Sequence, residues 1–411
     1  MISCGLLGKK LRHSYSPQIH AMLGDYEYRL YEKTEEELPE LLSGGSWTGL
    51  NVTIPYKKAV IPYLSSMSET VRRTGSANTL VRRENGEIYG DNTDVYGFIK
   101  MTEHSGISVK DRKVLVLGSG GASASVIAAL TDLGAHPTII SRSGENHYGN
   151  LDLHRDAQII VNTTPVGMYP ETGISPVDPG RFPELKGVFD LIYNPARTAL
   201  LLEAEKLGIP YENGLYMLAA QAKRSAELFT GSAIPDDIID RIYHQLKRSL
   251  LNIVLIGMPG SGKSSVAQKL HELTGRRTAD SDEEITKRTG LTPAQLITEK
   301  GEPAFRETEH SVLKELGKES GIILSTGGGA VVTGKNYDVL HQNGTIVWLR
   351  RDLAALPDTD RPISKSTGIE ELYRQREPLY RKFADIEEVN DKDLDKAASD
   401  ILNAISGGSN S

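Results

Sequence analysis

The 411-residue chain has a single cysteine, Cys4, which excludes an intramolecular disulfide and leaves no basis for a cysteine-built metal site. A small apolar strand residue is the expected role of Cys4. Long hydrophobic runs are also missing. No segment approaches the roughly 20 apolar residues that a membrane-crossing helix needs. The opening Met1-Ile-Ser-Cys-Gly-Leu-Leu-Gly8 has no basic stretch leading into a long apolar one, so no signal peptide is expected and the chain reads as cytoplasmic. A basic excess is absent too: 47 Lys and Arg stand against 54 Asp and Glu, a net charge of −7. Neutralising a phosphate backbone needs the opposite balance, so neither nucleic acid nor membrane is an expected partner. Internal repeats, heptads and low-complexity blocks are lacking as well. The sequence leaves monomer and homodimer open.

What is present is an ordinary globular composition, 38% hydrophobic and 25% charged, long enough for two or three domains with cores of their own. Short Val/Ile/Leu blocks alternate with helical stretches, which points to α/β architecture. Strands are predicted at 49–54, 113–117, 137–141, 159–162, 187–191, 252–256, 321–325 and 345–349. Their lack of clean alternation suits parallel strands buried on both faces. A first boundary is expected near 100–107. Helices at 215–229 and 236–248 precede the strand at 252, leaving a linker too short for free tumbling. Disorder is expected in the tail 406–411.

Two glycine loops of different kinds each follow an apolar strand. Gly118-Ser-Gly120-Gly121-Ala122-Ser123 is a dinucleotide-type turn with serine at the third small position, opening a helix expected at 122–133. The next strand ends at Ser141-Arg142-Ser143 without a carboxylate, and an arginine there suits a 2′-phosphate, so NADP is favoured over NAD. The second loop, Gly257-Met-Pro-Gly260-Ser261-Gly262-Lys263-Ser264-Ser265, fits the full P-loop pattern. Its backbone N–H groups would cradle the phosphates of ATP, Lys263 would reach the transferable phosphate, and Ser264 would ligate Mg²⁺.

Further clusters are Ser14-Tyr-Ser16-Pro17, Asn51-Val-Thr53-Ile-Pro-Tyr-Lys57, Gly75-Ser-Ala-Asn78-Thr and Gly90-Asp-Asn-Thr-Asp94. Asn162-Thr-Thr-Pro-Val-Gly-Met-Tyr169, Phe189-Asp-Leu-Ile-Tyr193-Asn-Pro and Gly214-Leu-Tyr-Met-Leu-Ala-Ala-Gln221 follow. Together, over residues 1–248, they resemble the shikimate dehydrogenase family. The resemblance implies a substrate domain at 1–106 with returning helices at 216–248, around a Rossmann-like NADP-binding domain at 107–215. It implies that Ser14 and Ser16 hold the substrate carboxylate, that Asn51, Thr53, Asn78, Asp94 and Gln221 hold ring hydroxyls, and that Tyr193 lines the site. Lys57 and Asp94 would be the catalytic pair. An ammonium beside a carboxylate can deliver the proton that a ketone takes up as hydride arrives. Ser16 could equally cap a helix starting at Pro17. Two family glycines are replaced, by Val95 and Tyr216.

Beyond the P-loop, Asp280-Ser-Asp282, Gly301-Glu-Pro-Ala-Phe-Arg306-Glu-Thr-Glu309, Ser325-Thr-Gly327-Gly328-Gly329 and Arg376-Glu-Pro-Leu-Tyr380 resemble the shikimate kinase family. This implies a P-loop domain of nucleoside-monophosphate-kinase type, with a parallel sheet, at 249–405. Asp280 would help hold Mg²⁺ and Asp282 would bind the acceptor hydroxyl and take its proton. Arg306 and Arg376 would clamp the substrate carboxylate, the glycine run would let backbone approach it, and Arg361 would lie on the phosphates from a short lid. Plainer roles are helix-start carboxylates for Asp280 and Asp282, and pairing of Arg306 with Glu302 or Glu309 on one helix face. Shikimate would be the product of the first half and the substrate of the second, so a bifunctional enzyme is expected. The alternative is a shikimate kinase with a degenerate, ligand-binding dehydrogenase-like half.

Overall fold

The computed structural model describes residues 2–11, 14–356, 368–390 and 393–407. Their backbone contacts divide the chain into two units, the first mainly residues 1–245 and the second mainly 246–411. The division falls inside the helix Asp237–Leu250, which runs to within one residue of the strand at Asn252.

The first unit holds two sheets. One contains β1 (Ser3–Gly8), β2 (Glu27–Glu32), β3 (Gly49–Val52), β4 (Ser66–Met67), β5 (Thr79–Arg82) and β6 (Ile88–Asp91), in the order β2-β1-β3-β5-β6-β4. The parallel pairing expected for the 49–54 strand holds on one side only: β3 runs parallel to β1, whereas β5, which was not expected, runs antiparallel to both β3 and β6. The other sheet is parallel: β7 (Lys113–Leu117), β8 (His136–Ile140), β9 (Ile159–Asn162), β10 (Gly187–Asp190) and β11 (Tyr211–Asn213), in the order β11-β10-β9-β7-β8. The turn after β7, which lies between β8 and β9 where the strand order reverses, delivers the first glycine loop to the carboxyl edge, where open α/β sheets take ligands. β7 and β9 are buried apart from Lys113 at the start of β7, which is why both read as continuous apolar runs.

The second unit is built on β12 (Asn252–Ile256), β13 (Thr278–Asp280), β14 (Ile323–Ser325), β15 (Gly344–Arg350) and β16 (Ile386–Val389), parallel in the order β13-β14-β12-β15-β16. Apolar clusters cover both faces. One gathers Val254, Ile256, Leu324 and Trp348; the other gathers Ile253, Leu255, Val266 and Ile401.

Strand ends moved by one or two residues from the sequence expectation. The 49–54 run stops at Val52, and Pro55, three residues on, cannot donate to a ladder. The helix Gly121–Asp132 starts one residue early, on Gly120 as N-cap.

Candidate active sites

In the first unit Asn51, Asn78, Asp94 and Lys57 belong to one connected polar chain, and Ser14 and Ser16 form a pair of their own. Ser14 Oγ donates to Ser16 Oγ at 3.1 Å. The helix that follows begins at Ser16 itself with Tyr15 as N-cap and no side-chain cap, so Ser16 is not the capping residue its sequence allowed. Tyr28 Oη donates to Asn51 Oδ1 at 2.8 Å, and Asn51 Nδ2 donates to Ser225 Oγ at 2.7 Å. Ser225 Oγ lies 2.9 Å from Thr79 Oγ1 and 3.1 Å from Thr93 Oγ1. Asn78 Nδ2 donates to Thr93 Oγ1 at 3.1 Å and to Asp94 Oδ1 at 2.8 Å. The chain ends where Lys57 Nζ meets Asp94 Oδ2 at 2.6 Å. Asp94 is the first residue of the helix Asp94–Ser105, where the helix dipole favours a carboxylate. Thr53 is pinned by its N–H to the Leu7 carbonyl, beside Gly8. Gln221 lies on the helix Leu215–Thr230 with its amide turned onto the Leu218 carbonyl. Tyr193 packs edge-on against Tyr15, and burial pushes its phenol up to about 12, so it stays a neutral donor.

The glycine turn comes to this pair. A Cβ on Gly121 would stand 3.9 Å from Lys57 Cδ, whereas one on Gly120 would meet nothing within 4 Å. Gly118 has φ +111, and Ser123 Oγ donates to its carbonyl at 2.8 Å, so serine at the third small position closes the turn rather than opening it. Arg142 is exposed in the turn after β8. The open cradle at Gly120, the helix start at Gly121 and the exposed cation at the next strand end suit the pyrophosphate and 2′-phosphate of NADP.

In the second unit two cavities share one carboxylate. One, of ≈ 320 Å³, is bordered by the P-loop residues Gly260, Gly262, Lys263, Ser264 and Ser265, with Asp280, Asp282 and Arg351. Gly257, Gly260 and Gly262 all have positive φ, and Lys263 Nζ donates to the Gly257 and Met258 carbonyls at 3.0 Å. Ser261 is fully buried, and its carbonyl accepts from Asn390 Nδ2. Ser264 Oγ lies 3.4 Å from Asp280 Oδ2, an oxygen pair of the kind Mg²⁺ takes. Asp280 is also the N-cap of the helix Ser281–Thr289, accepting from the Asp282 N–H at 2.9 Å. One side chain thus caps the helix and stands beside Ser264.

The other cavity, of ≈ 300 Å³, is lined by Asp282, Arg306, Arg376, Glu309 and the run Gly327, Gly328, Gly329, and closed by Phe305 and Ile297. Each glycine of the run has a neighbour too near for a side chain: Asp282 Oδ1 at 2.7 Å, Pro259 Cδ at 2.7 Å and Arg306 Nη1 at 2.5 Å from the three would-be Cβ atoms. Arg306 pairs with both Glu302 and Glu309 at 2.9 Å and still faces the cavity, so the helix-face pairing orients it. Arg376, buried, donates to the Gly328 carbonyl at 3.0 Å. Burial raises the pKa of Glu309 and lowers that of Arg376. Arg361 lies outside the described residues.

The model of the shikimate dehydrogenase substrate binding domain matches residues 6–80. The NADP(+)-type shikimate dehydrogenase of Clostridium perfringens strain SM101 is 34% identical over 265 residues, spanning 59% of this chain and 97% of that protein. The chain belongs to the shikimate dehydrogenase family. A second such enzyme, from Methanococcus maripaludis strain C7, is 38% identical over 55% of this chain and 90% of its own. Among solved structures, shikimate 5-dehydrogenase of Thermus thermophilus, in complex with NADP(H) and shikimate, matches with 30% identity and TM-score 0.55 over 60% of this chain and 99% of that one. A chorismate mutase/shikimate 5-dehydrogenase fusion protein from Clostridium acetobutylicum matches with 37% identity and TM-score 0.57, over 60% and 98%. Fused to this dehydrogenase is a second domain, since the shikimate kinase model matches residues 259–406.

Both departures from the dehydrogenase pattern are buried. Tyr216 stacks on His104 with ring centroids 3.9 Å apart and donates to Asp240 at 2.8 Å. Val95 is buried in the helix that starts at Asp94. Sequence reasoning missed Tyr28, Thr79, Thr93 and Ser225 in the dehydrogenase site, and Phe305, Glu309 and Arg351 in the kinase cavities. Thr79, Thr93, Phe305 and Glu309 sit inside motifs already singled out, Glu309 there only as a partner of Arg306. Ser225 lies 174 residues from Asn51, and no spacing could have joined them. No helix among the described residues is long and apolar enough to cross a membrane.

Proposed function

We propose that this chain reduces 3-dehydroshikimate with NADPH and then phosphorylates the resulting shikimate with ATP. The reduction rests on Lys57, held between Asp94 Oδ2 at 2.6 Å and the Gly121 end of the cofactor turn. Its ammonium is placed to give a proton to the ketone oxygen, and Asp94, fixed by Asn78, to hold the neighbouring hydroxyl. Ser14 and Ser16 offer hydroxyls to the substrate carboxylate, while Asn51, Thr53, Asn78, Gln221 and Tyr193 supply polar partners and a wall.

Phosphorylation rests on Asp282, the one side chain bordering both the P-loop cavity and the pocket of Arg306 and Arg376. It can take the proton of the acceptor hydroxyl while the two guanidinium groups hold the acceptor carboxylate. Bound NADPH would supply the hydride and bound ATP the phosphoryl group, with Mg²⁺ on Ser264 and Asp280 screening its charge. We place the substrate domain at 1–106 with helices 216–248, the NADP domain at 107–215 and the kinase domain at 249–405, in a cytoplasmic enzyme whose partners are small molecules.

The test is one mass-spectrometric assay of purified protein with 3-dehydroshikimate, NADPH, ATP and Mg²⁺. Conversion to shikimate 3-phosphate is expected. Phosphorylation of added shikimate without any reduction would leave a kinase with a binding module.

A further inference from the structure

We propose that Arg351 binds the nucleotide of the kinase half, setting its guanidinium against the polyphosphate of the nucleoside triphosphate. This deepens the P-loop reading and rests on it. Arg351 follows β15 directly and borders the same cavity as Lys263, Ser264 and Asp280. Its Nη1 donates to the Gly260 carbonyl at 3.1 Å, so the guanidinium is anchored on the phosphate loop itself. Gly260 has φ +81, and that backbone turn directs its carbonyl to the arginine. Its Nε is buried and has no partner among the described residues. A guanidinium carries five N–H donors, and one anchoring bond leaves the others for an anion.

No other cation of this segment is available for the task among the described residues. Arg350 is ion-paired to Glu387 and lies over the Trp348 ring. From Asp352 to Asp360 the sequence contains neither lysine nor arginine, and Arg361, expected at the phosphates, lies outside the described residues. A polyphosphate brings several negative charges into a cavity whose lining already includes Asp280 and Asp282, so a second cation beside Lys263 has a clear electrostatic purpose.

The test is equilibrium binding of ATP, ADP and AMP to the full-length protein, as wild type, Arg351→Met and Arg351→Lys. Dehydrogenase turnover of each preparation serves as the folding control. Arg351→Met is expected to weaken ATP at least tenfold and AMP less than twofold, with Arg351→Lys recovering part of the loss and the KM for shikimate unchanged. ATP affinity within twofold of wild type in the Met variant would overturn the assignment. So would equal weakening of ATP and AMP, which marks a role in loop folding or at the base. Wild-type protein that binds ATP but leaves shikimate unphosphorylated would defeat the kinase reading, while the binding series would still decide the role of Arg351.

Discussion

Lys57 Nζ stands 2.6 Å from Asp94 Oδ2, and the other oxygen of Asp94 accepts from Asn78 Nδ2 at 2.8 Å. Each oxygen of the carboxylate therefore has a protein partner, and one of the two is the Lys57 ammonium. Lys57→Ala should lower the reduction rate by about 10²–10⁴-fold, the usual worth of a positioned proton donor. Shikimate phosphorylation by the same sample should stay within twofold. If phosphorylation falls in step with reduction, the substitution has unfolded the chain. If neither falls, Lys57 is not the proton donor.

Asp282→Asn separates binding from transfer in the kinase half. The amide keeps the shape of the wall between the two cavities but cannot take a proton. Phosphoryl transfer should drop by about 10²-fold or more, with ATP affinity nearly unchanged. Separate measurements of nucleotide binding and single-turnover phosphorylation check this. Turnover within threefold of wild type would remove Asp282 from its assigned role.

Local signals made part of this legible. The two glycine loops sit where strand, turn and helix each had their own sequence mark, and β7, β9 and β12 run over the residues their apolar blocks indicated. The first sheet was less readable. β2 is mostly exposed and β4 has two residues, so neither offers an apolar run to find. The antiparallel β5 is a four-residue strand whose direction follows from pairing with β3 and β6, a long-range fact that no window contains. Ser225 is the sharpest case. Its hydroxyl joins Asn51, Thr79 and Thr93 only because the helix Leu215–Thr230 returns onto the first sheet.

His20 should make the first unit sensitive to acid. It is 1% exposed, stacked on Tyr28 with centroids 4.0 Å apart, and its Nδ1 lies 2.6 Å from Tyr26 Oη. Burial lowers its pKa from 6.5 to about 3, partly opposed by a hydrogen bond with Asn51. Between those values the unfolded chain binds the proton and the folded one does not. The stabilising contribution is thus whole above pH 6.5 and is lost as pH falls toward 3, by up to about 1.4 kcal/mol per pH unit. Trp47 is buried in the first unit and Trp348 in the second, so a Trp348→Phe background isolates the first. Urea unfolding at pH 7, 6 and 5 should show the Trp47 midpoint falling. His20→Phe keeps a ring against Tyr28, and although it loses the bond to Tyr26, its pH dependence should be flatter. An equal slope in both proteins would refute the assignment.

Gly327 tests whether the glycine run is there for space. Its backbone needs no positive φ, so alanine adds no backbone strain. The added methyl would instead stand 2.7 Å from Asp282 Oδ1 and 3.1 Å from Glu309 Oε1. Glu309 is fully buried and held by Arg306, so it cannot swing away, and Asp282 has to yield. Asp282 borders both cavities, but the methyl would also narrow the pocket of Arg306 and Arg376. Gly327→Ala should therefore raise the KM for shikimate by about tenfold or more, the range in which one misplaced group costs on the order of 1.4 kcal/mol. The KM for ATP should move far less, because the phosphate loop is untouched. Gly334→Ala is the matched control, since a Cβ there meets nothing within 4 Å and should change neither constant. A Gly327→Ala enzyme with wild-type affinity for shikimate would mean that the acceptor does not lie against this run, and the pocket of Arg306 and Arg376 would have to be reassigned.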